Sequence, residues 1–462
     1  MSLNTSSEPG AAASSPASSP ASSSSASVAP SALALLPIGL FLALFIGGGL
    51  YYQQAGVDFA FYQVPAPVAI LPAILLALLL ARGTLNQRVD ALIRGCADNT
   101  LITMVLIFLL AGGFASVAKA IGGVDATVNF GLSLIPAPLV LPGLFVMTAF
   151  IATSMGTSMG TIAAIAPIAV GISEATELST VLTIGTVMGG AMFGDNLSII
   201  SDTTIAATRT QGCEMRDKFR MNFKIALPAA IITLLWLAYQ GAASEAQQVR
   251  GYDLWLVLPY IAVLGLALSG LNVLLVLFAG IVLAGVIGLV RVEDYHLANW
   301  AKDIYDGYGS MQEIMILSIF IGGLAALMKA GGGLAWIGAL IDRLSRKGSA
   351  PKDHRRAGEF SIVSSVALAN LCTANNTVAI IISGSLAKDI AERYGVDPKR
   401  SASLMDIASC VVQGIIPYGA QMLLAASLAA LSPLQLVSAV TYCWALGAVA
   451  LISVVIGKPA GR

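Results

Sequence analysis

Eight stretches of this chain are long and apolar enough to cross a lipid bilayer, and no other feature limits its fold as strongly. They cover residues 31–52, 64–81, 99–120, 224–243, 253–270, 271–290, 311–330 and 433–457, each with at most two charged residues. A spanning helix needs about 20 predominantly apolar residues. In hydrocarbon every backbone N–H and C=O must be satisfied internally, so such stretches form helices. The composition agrees: 57% of the 462 residues are hydrophobic and 11% charged, against about 25% charged in soluble domains. The expected fold class is an all-α polytopic membrane protein, with the lipid bilayer as its first partner.

Other classes fall away quickly. Acidic and basic residues balance at 25 each, so no nucleic-acid partner is expected. The five cysteines are scattered, without a disulfide framework or a CxxC pair, and His296 and His354 lie in charged connections. No resident metal centre or cofactor is expected. No GxxxxGK[ST] loop is present, which argues against ATP-driven work. Residues 1–30 are Ser/Ala/Pro-rich and read as a disordered tail rather than a signal peptide.

Basic residues orient the remainder. Arg82–Arg94, Arg209–Lys224, Arg343–Arg356 and Lys388–Arg400 carry three, five, six and four Lys/Arg, which places all four on the cytoplasmic side. The acidic, Lys/Arg-poor linkers at 53–63, 174–179 and 244–252 then lie outside, and both termini are cytoplasmic in a cell membrane. Residues 357–387 join two cytoplasmic loops with too few residues for two full crossings and a turn. They are expected to form a re-entrant hairpin with its tip at CTANNT (372–377). Residues 139–173 are expected to form a hairpin of opposite direction, with its tip at GTSMGT (156–161).

The two halves are related. GGFASVAKAIGG (112–123) and GGLAALMKAGGG (322–333) agree at seven of twelve positions, 210 residues apart. At nearly the same offset the two hairpin tips correspond, and so do Asp195 and Asp406. The domain reading is therefore two inverted-topology repeats, 31–243 and 253–457, each with about five transmembrane spans, one re-entrant hairpin and a broken helix. Inverted repeats of this kind characterise secondary transporters.

The chemistry concentrates in GGAMFGDNLSIISDTTIAATRTQGC (189–213). Asp195 and Asp202 sit there in an apolar region with Asn196, Ser198, Ser201, Thr203 and Thr204. Residues 179–208 would make a helix of about 45 Å, longer than the bilayer core of about 30 Å, so a break is expected within FGDNLSIISD. Its counterpart is 401–432, with Asp406, Ser409 and Gln413 ahead of the breakers Gly414, Pro417 and Gly419. Intramembrane carboxylates face cavities, ions or proton paths, and hard cations choose oxygen ligands. Asp195 and Asp202 are thus candidates to hold Na+. Thr157, Ser158 and Thr161 at one tip and Asn375, Asn376 and Thr377 at the other complete the candidate binding set. Bland readings stand beside these: Ser201–Thr204 also reads as a helix N-cap, and the tip hydroxyls can simply satisfy backbone.

At GTSMGT, GGAMFGDNLSIISDTTIAA and DIASCVVQGIIPYGA the chain resembles NhaC-type Na+/H+ antiporters, within a wider superfamily that includes dicarboxylate and arsenite carriers. The resemblance extends over roughly residues 60–450 and is most specific from Asp195 to Thr204. It implies two hairpins and two broken helices meeting at a midplane site. It carries over to Thr157, Thr161, Asp195, Ser198, Ser201, Asp202 and Thr204. The chain departs from the family at Asn196, where a His is frequent, Ile199, where a Pro is frequent, Met159, where an aromatic is frequent, and Tyr418, where a Trp is usual. The expectation is a Na+/H+ antiporter, not an enzyme, exchanging cytoplasmic Na+ or Li+ for external protons. The alternative is a Na+- or H+-coupled carrier of a small organic anion or amino acid, with exchange of the malate/lactate kind. A homodimer is compatible with either.

Overall fold

The apolar stretches are helices in the computed structural model, which describes residues 29–57, 63–199, 201–242, 251–269, 271–347 and 354–459. The expected disordered tail at 1–30 lies almost wholly outside the described residues. So do parts of the linkers at 53–63 and 244–252 and of the basic loop 343–356.

The first half contains α1 (Leu36–Gln54), α2 (Ala66–Leu80), α3 (Leu85–Cys96), α4 (Asn99–Ala120) and α5 (Gly123–Leu134). A hairpin of α6 (Val140–Met155) and α7 (Ser158–Ala175) follows, then α8 (Thr180–Leu197), α9 (Asp202–Gln211) and α10 (Met215–Gly241). The second half repeats the order: α11 (Leu254–Leu268), α12 (Val273–Arg291), α13 (Leu297–Ser310), α14 (Gln312–Ala330) and α15 (Gly333–Lys347). Its hairpin is α16 (His354–Thr373) with α17 (Asn376–Tyr394), followed by α18 (Pro398–Ile415), α19 (Ala420–Leu428), the short α20 (Pro433–Val437) and α21 (Thr441–Ile456). Among the described residues seven segments are long and apolar enough to cross a membrane, counting α18 and α19 as one.

Packing is reciprocal between the halves. Helix α3 lies on α14, and α13 lies on α4. Both contacts are glycine against glycine: Gly112 faces Gly307, and Gly95 faces Gly322 so closely that a Cβ on Gly95 would stand 2.5 Å from the Gly322 carbonyl oxygen. Small residues let helix backbones approach in this way. The broken helices exchange partners too. Helix α18 lies beside α9 and α17, while α8 lies beside α19 and α7. Helix α8 also touches α18 directly, so the two broken helices meet in the core.

Apolar side chains cover the outside. On α2, Val68, Leu71, Leu75 and Leu79 are exposed at helical spacing, as are Leu275, Phe278, Val282, Val286 and Val290 on α12. Helix α7, by contrast, is buried along nearly its whole length. Lipid favours apolar exposed faces, and the polar residues collect inside.

Three boundaries differ from the sequence expectation. Helix α10 begins at Met215 rather than near 224. The expected span 433–457 is interrupted: Ser432 and Gln435 form a capping box, Pro433 opens α20, and the Val437 carbonyl accepts from Trp444 Nε1 at 2.8 Å. Helices α3, α13 and α15 occupy segments read as connections; α3, for example, is started by the Thr84/Gln87 capping box.

Placing a methyl group in a glycine–glycine crossing should overpack it. Gly112→Ala is expected to destabilise the protein by about 1–3 kcal/mol, read as earlier thermal unfolding in detergent. Gly39→Ala, where a Cβ meets nothing within 4 Å, should not.

Candidate functional site

The two hairpin tips are built alike. Helix α6 ends on Gly156, at φ +69, and Thr157 then caps α7 by accepting from Gly160 N. The left-handed residue turns the chain, and the cap satisfies the new helix start. Helix α16 ends before Ala374, at φ +49, and Asn375 caps α17 by accepting from Val378 N at 3.0 Å. Left-handed backbone is costly for alanine. Here it is fixed from both sides: Ala374 N donates to Asn370 O, and Ala374 O accepts from Gln413 Nε2 at 3.0 Å.

The two breaks differ in construction. In the second half Ile416 is extended ahead of Pro417, as a residue before proline prefers. The first break has no proline. Ser198 takes extended backbone, and its carbonyl accepts from Thr204 Oγ1 at 2.7 Å. Ser201 caps α9 by accepting from Thr204 N.

Asp195 lies in the last turn of α8, 4% exposed. Its Oδ2 accepts from Ser158 Oγ at 3.0 Å. Ser158 in turn accepts from Gln421 Nε2 at 3.2 Å, and Gln421 Oε1 accepts from Gln413 Nε2 at 2.7 Å. One hydrogen-bonded chain thus joins the first tip and break to the second tip and break. Asp195 forms no ion pair among the described residues.

Asp406 has a different environment. Lys218, on the first turn of α10, is fully buried and approaches Asp406 Oδ2 at 2.8 Å. The same ammonium donates to Asn196 O at 3.0 Å and Thr204 Oγ1 at 2.7 Å. Asn222, one turn further along α10, donates to Asn196 O at 2.9 Å and Asp406 Oδ2 at 2.7 Å. Two donors four residues apart on one helix face therefore bind the same carbonyl and the same carboxylate. They tie the first break to the second-half acid.

The remaining sequence candidates take these places. Thr161 turns onto Thr157 O at 2.9 Å. Asn196 Nδ2 points to Tyr442 OH at 3.5 Å. Asp202 is exposed as the first residue of α9 and lies outside the buried cluster. Asn376 Oδ1 accepts from Thr377 N at 3.0 Å. Ser409 Oγ donates to Asp406 O at 2.8 Å, and Ser409 O accepts from Asn370 Nδ2 at 2.8 Å. Asn375 Nδ2 has no hydrogen-bond partner among the described residues. It lines a cavity of about 220 Å³ with Thr373, Arg94, Asp98 and Lys329.

Sequence reasoning missed Lys218, Asn222 and Gln421. The sequence places Lys218 among the charges of the cytoplasmic loop 209–224, and the structure corrects this: helix α10 starts at Met215 and carries it inward. A signal existed, since Lys218, Met221, Asn222 and Ile225 fall on one helical face and all are buried. Arg400 is also fully buried, 3.0 Å from Glu359, with Arg355 on the other carboxylate oxygen.

The model of the Na+/H+ antiporter family matches residues 66–242 and 247–458. The chain is 25% identical to the Na(+)/H(+) antiporter NhaC of Bacillus subtilis (strain 168), over 69% of this chain and 75% of that one. It is 22% identical to the malate-2H(+)/Na(+)-lactate antiporter of the same organism, over 83% and 86%. It is 23% identical to the arginine/ornithine antiporter ArcD of Halobacterium salinarum, over 83% of each. Among solved structures, the Alcanivorax borkumensis YdaH transporter is similar at a TM-score of 0.41 and 14% identity, over 81% of this chain and 89% of that one.

Removing one partner of a buried pair leaves a bare charge. Glu359→Gln should strand Arg400 and destabilise the protein by about 3–5 kcal/mol, measured as lost folded yield and earlier thermal unfolding.

Proposed function

The chain belongs to the Na+/H+ antiporter family, and from that premise we propose that it exchanges cytoplasmic Na+ (or Li+) for external protons at Asp195. The observation that carries this reading is the unequal treatment of two buried acids: Asp406 is neutralised by Lys218, while among the described residues the Asp195 carboxylate has only a neutral hydroxyl donor, Ser158. An uncompensated carboxylate in a low-dielectric interior is costly. It is stabilised by a proton or by a metal cation, and one cannot occupy it while the other does. Exclusive occupancy is the chemical basis of exchange. Na+ binds from the cytoplasm and leaves outside, and a proton occupies Asp195 for the return.

Ser158 orients the carboxylate. Because the hydrogen-bonded chain from Ser158 through Gln421 to Gln413 crosses between the repeats, occupancy of Asp195 is felt in both halves. Alternating access follows as movement of the hairpins and broken helices as a transport unit, with both chain termini cytoplasmic.

A second reading is favoured by the cavity at the second tip. Arg94, Lys329 and the free Nδ2 of Asn375 present donors and positive charge suited to a small carboxylate. Some relatives are named for malate and lactate or for arginine and ornithine. Under this reading the chain is an ion-coupled carrier of a small organic anion or amino acid.

Everted membrane vesicles separate the two. Addition of Na+ or Li+ should dissipate a preset pH gradient in vesicles with the wild-type protein. Asp195→Asn should abolish the response while the protein remains folded, and Ser158→Ala should raise the half-saturating Na+ concentration about fivefold, the worth of about 1 kcal/mol. Gradient collapse by an organic solute but not by Na+ or Li+ would select the second reading.

A further inference from the structure

Two acids are buried in the core, Asp195 on α8 and Asp406 on α18. The sequence pairs them across the repeat, but the structure does not: Asp195 is two residues from the end of α8, whereas Asp406 is nine residues from the end of α18, where Gln413 stands in the place of Asp195. The side chain of Lys218 sets the two acids further apart in character. Its ammonium carries three N–H donors. Three oxygens surround it: Asp406 Oδ2 at 2.8 Å, Asn196 O at 3.0 Å and Thr204 Oγ1 at 2.7 Å. These are a carboxylate, a backbone carbonyl at a helix break and a hydroxyl, the ligand types that hard cations take. Carbonyls beside broken helices bind Na+ in other transporter folds. All the groups concerned are fully or almost fully buried. The ammonium therefore stands inside an oxygen cage suited to a monovalent cation. Neither α20 nor α21, which follow the second broken helix as α10 follows the first, carries a charged side chain that could reach Asp195.

We propose that Lys218 is a tethered cation that permanently fills the Asp406 site, leaving Asp195 as the single exchangeable site. The proposal rests on the antiport reading for what Asp195 exchanges. It adds why the chain has two buried acids on its broken helices but one exchangeable charge. Lys218 is a positioning residue here. By holding Asn196 O and Thr204 Oγ1 it also keeps the first break open beside Asp195, and it links that break to α18 without leaving with the cargo. With Lys218 charged, the buried pair Asp406–Lys218 is neutral, and the net charge of the core depends on Asp195 alone. Each transport cycle then moves one Na+ against the one proton that neutralises the Asp195 carboxylate.

The test is the number of Na+ ions bound, measured with radiolabelled Na+ on purified protein at alkaline pH, where protons compete least. Lys218→Ala should bind one Na+ more per protein than wild type. Its Na+ activation in proteoliposomes should steepen from a Hill coefficient of about 1 to about 2, as expected when a second coupled site is added. An unchanged count in folded Lys218→Ala overturns the proposal. If that variant does not fold, the paired variant K218M/D406N, which removes both charges together, answers the same question. A Na+ count equal to that of wild type supports the tethered cation. Loss of Na+ binding from the folded pair variant overturns it, because Asp406 would then hold the transported ion. The antiport reading fails separately: wild-type protein that binds no Na+ at all contradicts that reading, whereas the proposal is judged on the difference between variant and wild type.

Discussion

The buried ammonium of Lys218 is the contact on which the centre of this molecule depends. A lysine inside a membrane protein is stable only where its three donors find acceptors and its charge a counter-charge. Both conditions are met at once by Asp406, Asn196 O and Thr204 Oγ1. The carbonyl and the hydroxyl belong to the break between α8 and α9, and the carboxylate belongs to α18. A single side chain from a third helix, α10, thus holds together parts of both repeats. Asn222 doubles the link from one turn away. Without these donors the carbonyl freed by the break and the Asp406 carboxylate would face apolar surroundings.

The two halves share an order of elements, and the chemistry lies where they differ. Glycine crossings, paired hairpins and broken helices bring two acids into one core at different places on their helices, Asp195 in the last turn of α8 and Asp406 in the middle of α18. The two halves then diverge in how each break is made. In the second half, proline and glycine interrupt the backbone outright, and Gln413 secures the strained Ala374 beside it. In the first half, hydroxyls take over the released backbone groups, which leaves the Asn196 carbonyl for Lys218. Helix α10 runs without interruption into the core, whereas its counterpart is divided into α20 and α21. Residues 420–457 contain no Lys or Arg, and Leu436 stands in the first turn of α20 where Lys218 stands in α10, so only one acid receives a lysine.

Much of this frame is legible in the sequence because it follows from bilayer thickness and periodicity. The span 99–120 coincides with α4, and the turn of each hairpin falls within GTSMGT or CTANNT. The break within FGDNLSIISD follows from helix length alone. The site itself was less legible. Asp195 stands out as an acid in an apolar run, but Lys218 sits in EMRDKFRMNFK, where Arg216, Asp217 and Arg220 conceal it. Charge counting assigns such a run to a loop as a whole. Only the face shared by Lys218, Met221, Asn222 and Ile225 separates the one inward-facing cation from its neighbours. Asp202 shows the reverse. Its spacing from Asp195 suggests a partner on the same face, yet the break rotates it to the exposed start of α9.

A buried acid can be made tolerable in two ways, and this core uses both. A permanent counter-charge makes an acid structural: Asp406 with Lys218, like Glu359 with Arg400, fixes helices to one another and is not readily given up. A neutral donor such as Ser158 orients an acid without supplying a counter-charge. Had neither been paired, two adjacent unpaired carboxylates would repel each other, and the break would lose the donors that hold its carbonyl. One acid held by a fixed ammonium stands beside one held by a neutral hydroxyl, and Lys218 of α10 is what makes them different.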